Sequence, residues 1–307
     1  MTSTEKRERH KTGHRSRMEE ARIAAARARR RNRVIRLLVG VLVVVIAVGA
    51  VAILLQEDPP ADETTDESTT TTTEPEDPSE TTVPATPVEL PPGPDGATLE
   101  GETPCPAEDG TEERVAVFAQ APPVCIEEGQ ALTAEIAIDE VDAEGTATDA
   151  GIVTIALDSE AAPVAVNNFV VLSRYSFYDG IPFHRLAAGF VAQVGGSGAP
   201  GPDGAPNYSS TGPGYDLDSE EYPTDGYAVG DVAMARADAV SGSQFFIVAA
   251  EDGLAPLDQS ANYPRFGRVT AGQELVVQMS EQSTTTDTND GAPTTLYVIR
   301  DITITAA

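Results

Sequence analysis

The sequence contains no tryptophan, only two cysteines and only three histidines. Two of the histidines, His10 and His14, lie in a basic N-terminal stretch, so His184 is the only imidazole in the rest of the chain. This scarcity excludes metal sites built on several histidines there, and a Ser-His-Asp triad would depend on this one residue. Between Phe183 and Arg185, His184 is more typical of a hydrogen-bonded structural residue.

Basic residues are scarce after residue 36. The chain has a formal net charge of −29, yet residues 1–36 hold 13 of its 20 Lys and Arg residues and only four acidic ones. A basic arm of this kind can neutralise nucleic-acid phosphates. The segment that follows it indicates a different role, because it is uniformly apolar.

Residues 37–55, LLVGVLVVVIAVGAVAILL, contain no charged residue. Nineteen apolar residues are about enough to cross a hydrocarbon core of roughly 30 Å. We therefore predict a transmembrane helix, with the basic tail at 1–36 in the cytoplasm, the remainder outside the cell membrane and no nucleic-acid partner. A cleaved signal peptide, processed near the AVA at 50–52, remains an alternative.

Two segments separate this apolar run from the rest of the chain. Residues 56–101 are rich in Thr, Pro, Glu and Asp, which predicts a disordered linker and leaves its glycosylation open. Residues 102–130 form a lead-in with both cysteines, Cys105 and Cys125. An oxidising compartment favours a disulfide between them, worth about 3 kcal/mol for a loop of about 20 residues. Free thiols or metal ligands are the alternatives.

Residues 131–307 consist mainly of short apolar runs between turn residues, which is typical of strands. Strands are predicted at 131–138, 151–157, 189–194, 231–237, 243–250, 264–270 and 295–305. Helices are predicted at 162–175, where Pro163 suits a helix start, and at 271–280. This pattern predicts a mostly β domain, a barrel closed at its ends by two helices.

The run SQFFIV gives the first indication of a surface groove. Alternation along a strand places Phe245 and Phe246 on opposite faces, so one of them is available outside the core. Arg185 and Gln193 are the polar candidates beside such a groove. Because the domain is strongly acidic, partners for Arg185 are plentiful, and a salt bridge at the rim is the more usual role for a lone arginine; composition alone leaves the question open.

Three motifs in order resemble those of the cyclophilin family of peptidyl-prolyl cis-trans isomerases. They are NNFVVLSRYSFYDGIPFHRLAAGFVAQ at 167–193, GSQFFIV at 242–248 and LDQSANYPRFGRV at 257–269. The resemblance covers about residues 131–305 and implies an eight-stranded antiparallel barrel capped by two helices, with a proline-binding groove on its outer face. It also implies that no cofactor and no metal is needed.

The resemblance assigns roles to individual residues. Arg185 is the catalytic arginine, and Gln193 fixes both Arg185 and the substrate carbonyl. The substrate-binding residues are Phe190 and Phe246 on the pocket floor, Met234 and Leu257 on its walls, Ala235 through its backbone, and Tyr263 where the family has His or Tyr. The lead-in with Cys105 and Cys125 resembles that of membrane-anchored cyclophilins from actinobacteria.

The chain departs from the family pattern at several places, including two beside the groove. It has Val194-Gly195-Gly196 where the family commonly has Gly-Gly-Asp, and Pro256 where an aromatic residue, often Trp, rims the groove.

From the resemblance we expect an isomerase that acts on proline-containing polypeptides and assists the folding of extracytoplasmic proteins. The alternatives are a weakly active or inactive module that binds proline-containing segments or a partner, and a purely structural wall-associated protein.

Overall fold

The computed structural model describes residues 86–306, apart from 111–112, 128, 219, 221, 224, 261 and 285–290. The predicted cytoplasmic tail, the predicted transmembrane helix at 37–55 and the first part of the predicted linker lie outside the described residues. Within the described ranges, no helix is both long and apolar enough to cross a membrane. The membrane anchor therefore stays a prediction.

The described residues form eleven strands and three α-helices. The strands are β1 (Ala97–Leu99), β2 (Val115–Phe118), β3 (Leu132–Val141), β4 (Ala147–Leu157), β5 (Arg185–Ala187), β6 (Val191–Val194), β7 (Asp216–Leu217), β8 (Asp231–Arg236), β9 (Val240–Val248), β10 (Arg265–Ala271) and β11 (Leu296–Ala306). The helices are α1 (Pro163–Arg174), α2 (Leu254–Ser260), which follows a 3₁₀ turn at Glu251–Gly253, and α3 (Gln273–Glu281).

Eight strands form one antiparallel path in the order β11-β3-β4-β10-β8-β9-β6-β5, with β7 paired to β9 outside this path. The segment before β5 also pairs with β11: Phe183 N donates to Tyr297 O at 2.9 Å, and Ile299 N donates to Ile181 O at 3.0 Å. The sheet therefore curls until its ends meet. This confirms the predicted mostly β, antiparallel fold.

The inner face of the curled sheet packs against α1. Phe169 of α1 lies 5.2 Å from Phe266 and 5.4 Å from Phe245, measured between ring centroids, and all three side chains are fully buried. Two of the three helices, α1 and α3, confirm the two predicted ones. The third, α2, was not predicted, because seven residues are too few to show a helical period.

The structure differs from the predicted disordered linker over its last part, 86–101. The guanidinium of Arg114 donates to Pro94 O and to Phe177 O, both at 2.7 Å, and Tyr208 Oη donates to Pro91 O at 3.0 Å. Strand β1 pairs in parallel with β2. A proline-rich segment has few donors, but its carbonyls accept hydrogen bonds, and here donors from elsewhere in the fold hold it in place.

Cys105 and Cys125 form a disulfide, as predicted. Asn167 of α1 connects the end of this lead-in to the domain: its Oδ1 accepts from Cys125 N at 2.6 Å, and its Nδ2 donates to Pro123 O at 2.8 Å. Among the residues that the structure describes, no group of three or more His, Cys, Asp or Glu side chains is placed to hold a metal ion. The disulfide therefore closes the lead-in on itself, and the buried amide of Asn167 fixes the end of the lead-in to α1.

Candidate functional site

The strand register aligns several of the predicted site residues. Arg185 on β5 is opposite Gln193 on β6, Gln193 is opposite Phe246 on β9, and Phe246 is opposite Ala233 on β8. Directly opposed residues of antiparallel strands project from the same face. Four side chains from four strands thus form one cross-strand row on the outer face of the sheet.

The neighbouring residues of the same strands face inward. Phe245 belongs to the interior core and Phe246 does not, which confirms the predicted separation of the two rings. Met234 is opposite Phe245, is fully buried and belongs to the interior core as well. The predicted role of Met234 in the pocket wall is therefore wrong. Alternation along β8 turns Ala233 and Ala235 outward and Met234 inward.

A second apolar cluster, separate from the interior core, lies around the cross-strand row. We call it the outer cluster; its buried members are Ala187, Phe190, Val191, Tyr227, Ala233, Phe246, Val248 and Leu257, with Ala235, Leu254 and Tyr263 partly buried against them. Every predicted substrate-binding residue except Met234 is in it. The sequence prediction missed Tyr227, which lies in a segment without strand or helix periodicity.

Aromatic contacts define one side of the outer cluster. The Tyr263 ring meets the Phe246 ring edge-on, with centroids 5.3 Å apart. Tyr227 Oη donates to Tyr263 O at 2.8 Å and accepts from Tyr263 N at 3.0 Å, so it anchors the Tyr263 backbone from both sides. Burial raises the pKa of Tyr227 to about 12. The hydroxyl is therefore neutral at physiological pH and can both donate and accept.

Arg185 is held by a chain of side-chain amides. Its Nη1 donates to Gln193 Oε1 at 3.1 Å, Gln193 Nε2 donates to Gln244 Oε1 at 3.2 Å, and Gln244 Nε2 donates to Thr211 O at 3.0 Å. The Arg185 Cζ also lies 5.4 Å from the centroid of the Phe190 ring, within cation–π range. Gln244, missed by the prediction although it lies in GSQFFIV, orients Gln193, and Gln193 in turn orients the guanidinium.

The turn after β6 is determined by two glycines. A Cβ on Gly195 would collide with Ser243 O and one on Gly196 with Tyr208 O, and Gly195 has a φ of +104°. Ser243 Oγ donates to Gly195 O at 2.6 Å. Val194 is fully buried in the interior core. The unusual Val194-Gly195-Gly196 run is thus a close-packed turn and leaves Gln193 in register.

His184 was predicted to be a hydrogen-bonded structural residue; it is buried beside the site, and the predicted hydrogen bond is not found among the described residues. It is only 7% exposed, and its ring stacks on Tyr208 with an interplanar angle of 16°. Within the described part of the chain, neither ring nitrogen has a hydrogen-bond partner. Burial and, to a lesser extent, the positive charge of Arg185 lower the pKa of His184 to about 4. The imidazole is therefore neutral at physiological pH.

A cavity of about 600 Å³ adjoins the row on the side of Gln193. Gln193, Gln244 and Ala235 line its end nearest to the site, and Arg236 lies along its wall. The Arg236 guanidinium donates to Tyr222 Oη at 3.1 Å and lies over the Tyr222 ring. The site therefore consists of the outer cluster, the guanidinium of Arg185 held beside it by Gln193, and a more polar cavity next to them.

Comparisons with known proteins identify relatives of this arrangement. The family model for cyclophilin type peptidyl-prolyl cis-trans isomerases matches residues 144–304. A peptidyl-prolyl cis-trans isomerase of Helicobacter pylori is 35% identical over 135 residues, which is 42% of this chain and 74% of the relative. Peptidyl-prolyl cis-trans isomerase B of Bacillus subtilis is 38% identical over 127 residues, which is 39% of this chain and 78% of the relative. A cyclophilin type isomerase structure from Cryptosporidium parvum, 25% identical, covers 58% of this chain and 99% of its own with a TM-score of 0.44.

Proposed function

This chain belongs to the cyclophilin-type peptidyl-prolyl cis-trans isomerases and catalyses the cis-trans isomerisation of X-Pro peptide bonds. From this premise we propose that Arg185 and Gln193 act on the X-Pro bond of a substrate whose prolyl ring binds over the outer cluster. Rotation about an X-Pro bond must cross a barrier of about 18–20 kcal/mol, which arises from amide resonance. The two isomers differ by only about 0.5–1 kcal/mol. A catalyst therefore needs to stabilise only the twisted amide, without a nucleophile or a proton relay.

Arg185 stabilises the twisted amide in this proposal. When the bond twists, the lone pair of the prolyl nitrogen leaves conjugation and becomes able to accept a hydrogen bond. A guanidinium N–H directed at that nitrogen is a stronger partner for the twisted state than for the planar ground state, as transition-state stabilisation requires. Its rigid fork can hold Gln193 and the substrate together, which the single ammonium of a lysine does less well.

The outer cluster holds the prolyl ring. Phe190, Phe246 and Leu257 pack together in the outer cluster, on the face of the sheet opposite the interior core, with the Tyr263 ring standing edge-on beside Phe246. An anchored ring lets the preceding carbonyl rotate while the prolyl nitrogen keeps its place. Ala233 and Ala235 have small side chains, which leaves room for the substrate backbone beside this surface.

One observation carries the proposal: the cross-strand row of Arg185, Gln193 and Phe246. It places a cation, an amide and an aromatic ring side by side on strands that fix their spacing. Gln193 Nε2 donates to Gln244 Oε1, and Gln244 Nε2 donates to Thr211 O, so the Gln193 amide is oriented before substrate arrives. Preorganisation of this kind avoids the cost of aligning dipoles during the reaction.

We further propose that the enzyme is a single-pass membrane protein whose domain assists the folding of exported polypeptides. The charge-free run at 37–55 after a basic tail supports the anchor and its orientation. The Cys105–Cys125 disulfide supports an oxidising compartment. In cells that express the full chain, it should sediment with membranes, and protease added outside should remove the domain. Protection of the domain in intact cells would refute this location.

The catalytic assignment is tested with the full chain in mild detergent. Exchange between the cis and trans forms of an X-Pro peptide is measured by NMR for the unsubstituted protein, Arg185→Ala and Arg185→Lys. We expect Arg185→Ala to lose on the order of 10²- to 10³-fold in kcat/KM, as when a preorganised donor is removed from an active site. Arg185→Lys should recover only a small part of this loss.

Arg300→Ala is the matched control. Arg300 is an exposed arginine on β11 that pairs with Asp139 and Asp149, away from the row. Its removal should leave exchange unchanged, because exposed ion pairs contribute little to stability. Full activity in Arg185→Ala would refute the assignment. Peptide binding without any acceleration of exchange would instead favour the alternative of a proline-binding module.

A further inference from the structure

The cavity beside the cross-strand row has one wall that comes from outside the catalytic domain. The lead-in strand β2 contributes Val117 to the lining, although β2 precedes the family match at 144–304. Val117 is 44% exposed, which makes it one of four large hydrophobic side chains exposed in the described part of the chain. The same cavity is lined by Gln193, Gln244 and Ala235 at its other end.

Strand β2 is fixed on both sides, so Val117 has a defined position. Val115 N donates to Tyr175 O at 3.0 Å, and Phe118 N donates to Pro213 O at 2.7 Å. The Phe118 ring packs edge-on against Tyr175 in the interior core, 5.4 Å between centroids. Val115 and Phe118, at the two ends of the strand, are buried in the interior core, whereas Val117 is exposed and lines the cavity. The Cys105–Cys125 disulfide closes the segment that contains the strand.

We infer that Val117 is a specificity-determining residue, which contacts an apolar side chain of the substrate polypeptide at a position flanking the X-Pro bond. This inference rests on the proposed function, since it assumes that the prolyl ring binds over the outer cluster. A polypeptide that crosses Gln193 passes directly from the prolyl site into the cavity. A volume of about 600 Å³ is within the range of sites that bind small organic groups, so a large side chain fits there.

The chemistry of the lining determines which side chain is preferred. Most of the wall consists of small or hydroxyl-bearing residues, and Asp216 and Asp238 are exposed at its edge. Val117 and Tyr215 are the side chains with a large apolar surface in this lining, and Val117 is the more exposed of the two, so it has the most apolar surface to remove from water when a substrate binds. At the substrate position that contacts Val117, a leucine should therefore be favoured over a serine, which has little apolar surface to bury.

The test uses the full chain in mild detergent and peptides with a central Ala-Pro bond in a serine and glycine background. A leucine or a serine is placed at each flanking position in turn, and kcat/KM is measured by NMR exchange. At one flanking position we expect kcat/KM for the leucine peptide to exceed kcat/KM for the serine peptide by about tenfold, which corresponds to burying roughly half the surface of a valine side chain. In Val117→Asp this leucine-to-serine ratio should fall to about one, and in Val117→Ile it should be kept.

Val124→Asp is the matched control. Val124 is also an exposed valine of the lead-in, 82% exposed, but it lines a different cavity beside Pro163. It should keep both the activity and the leucine preference. The inference is refuted if leucine is not preferred, if Val117→Asp keeps the preference while folded by circular dichroism, or if Val124→Asp loses it equally. Should Val117→Asp fail to fold, Val117→Thr replaces it and should lower the ratio. An unsubstituted chain inactive on every peptide would overturn the proposed function and this inference together.

Discussion

Replacing His184 with phenylalanine should remove a large part of the acid sensitivity of the fold. The folded-state pKa of His184 is about 4, against an ordinary value of 6.5. Because the folded pKa is the lower one, the unfolded chain takes up a proton first as the pH falls. The stability that His184 contributes is thus fully present above about pH 6.5 and is lost progressively down to about pH 4.

The expected loss in the free energy of unfolding follows from these two pKa values. Each pKa unit corresponds to about 1.4 kcal/mol, so the full loss is about 3 kcal/mol, of which about 2 kcal/mol falls between pH 7 and pH 5. Burial justifies this figure without a correction for solvent screening, since the side chain is only 7% exposed. A phenylalanine keeps an aromatic ring stacked on Tyr208 but does not titrate.

The assay is urea unfolding of the compact unit Ser79–Ala307 at pH 7 and pH 5, followed by far-UV circular dichroism. Other groups also titrate in this range; burial raises the pKa of Asp179 to about 6, which acts in the opposite direction because the folded carboxyl is protonated first. Their effects cancel when the two proteins are compared. The wild type should lose about 2 kcal/mol more than His184→Phe on acidification. An equal loss in both proteins would refute the reasoning.

Two further predictions concern Met234 and the disulfide. Met234→Ala should lower the free energy of unfolding by about 2–5 kcal/mol, because it leaves a cavity in the interior core. In enzyme assays the KM for an X-Pro peptide should stay unchanged. A raised KM with unchanged stability would instead place Met234 in the substrate pocket. Replacing both Cys105 and Cys125 with serine should lower the free energy of unfolding, measured in urea, by about 3 kcal/mol, because the unfolded chain gains conformational entropy when the loop is no longer closed. A chain that is equally stable without the disulfide would show that the lead-in contacts alone hold it.

Much of the fold follows from local pattern. Alternating apolar residues predicted the seven longest strands of the sheet, and a proline at the first turn together with the apolar face around Phe169 predicted α1. Short elements were missed: β5 and β7 have three and two residues, too few for a period to be visible. The ordered part of the predicted linker was missed because its contacts come from distant donors, such as Arg114 and Tyr208.

The candidate site shows the same division between local and distant information. Arg185, Gln193, Phe190 and Phe246 were identified from motifs. The strand register aligns three of them, and Phe190, in the turn before β6, contacts the Arg185 guanidinium. Gln244 is in one of those motifs, but its role depends on the distant loop at 209–212, whose carbonyls it contacts. Sequence periodicity carries no information about such a pairing.

The sequence alone determined that Phe245 and Phe246 project to opposite faces, because alternation is a property of the extended backbone itself. It also determined the order of the motifs, and with them the family. Only the tertiary structure decided which face of β8 is inside, and so placed Met234 in the core and Ala233 beside Phe246. Only the tertiary structure brought Val117 to the wall of the cavity beside the site, since strand β2 is held by hydrogen bonds to the distant residues Tyr175 and Pro213. No local sequence pattern specifies contacts between segments so far apart in the chain.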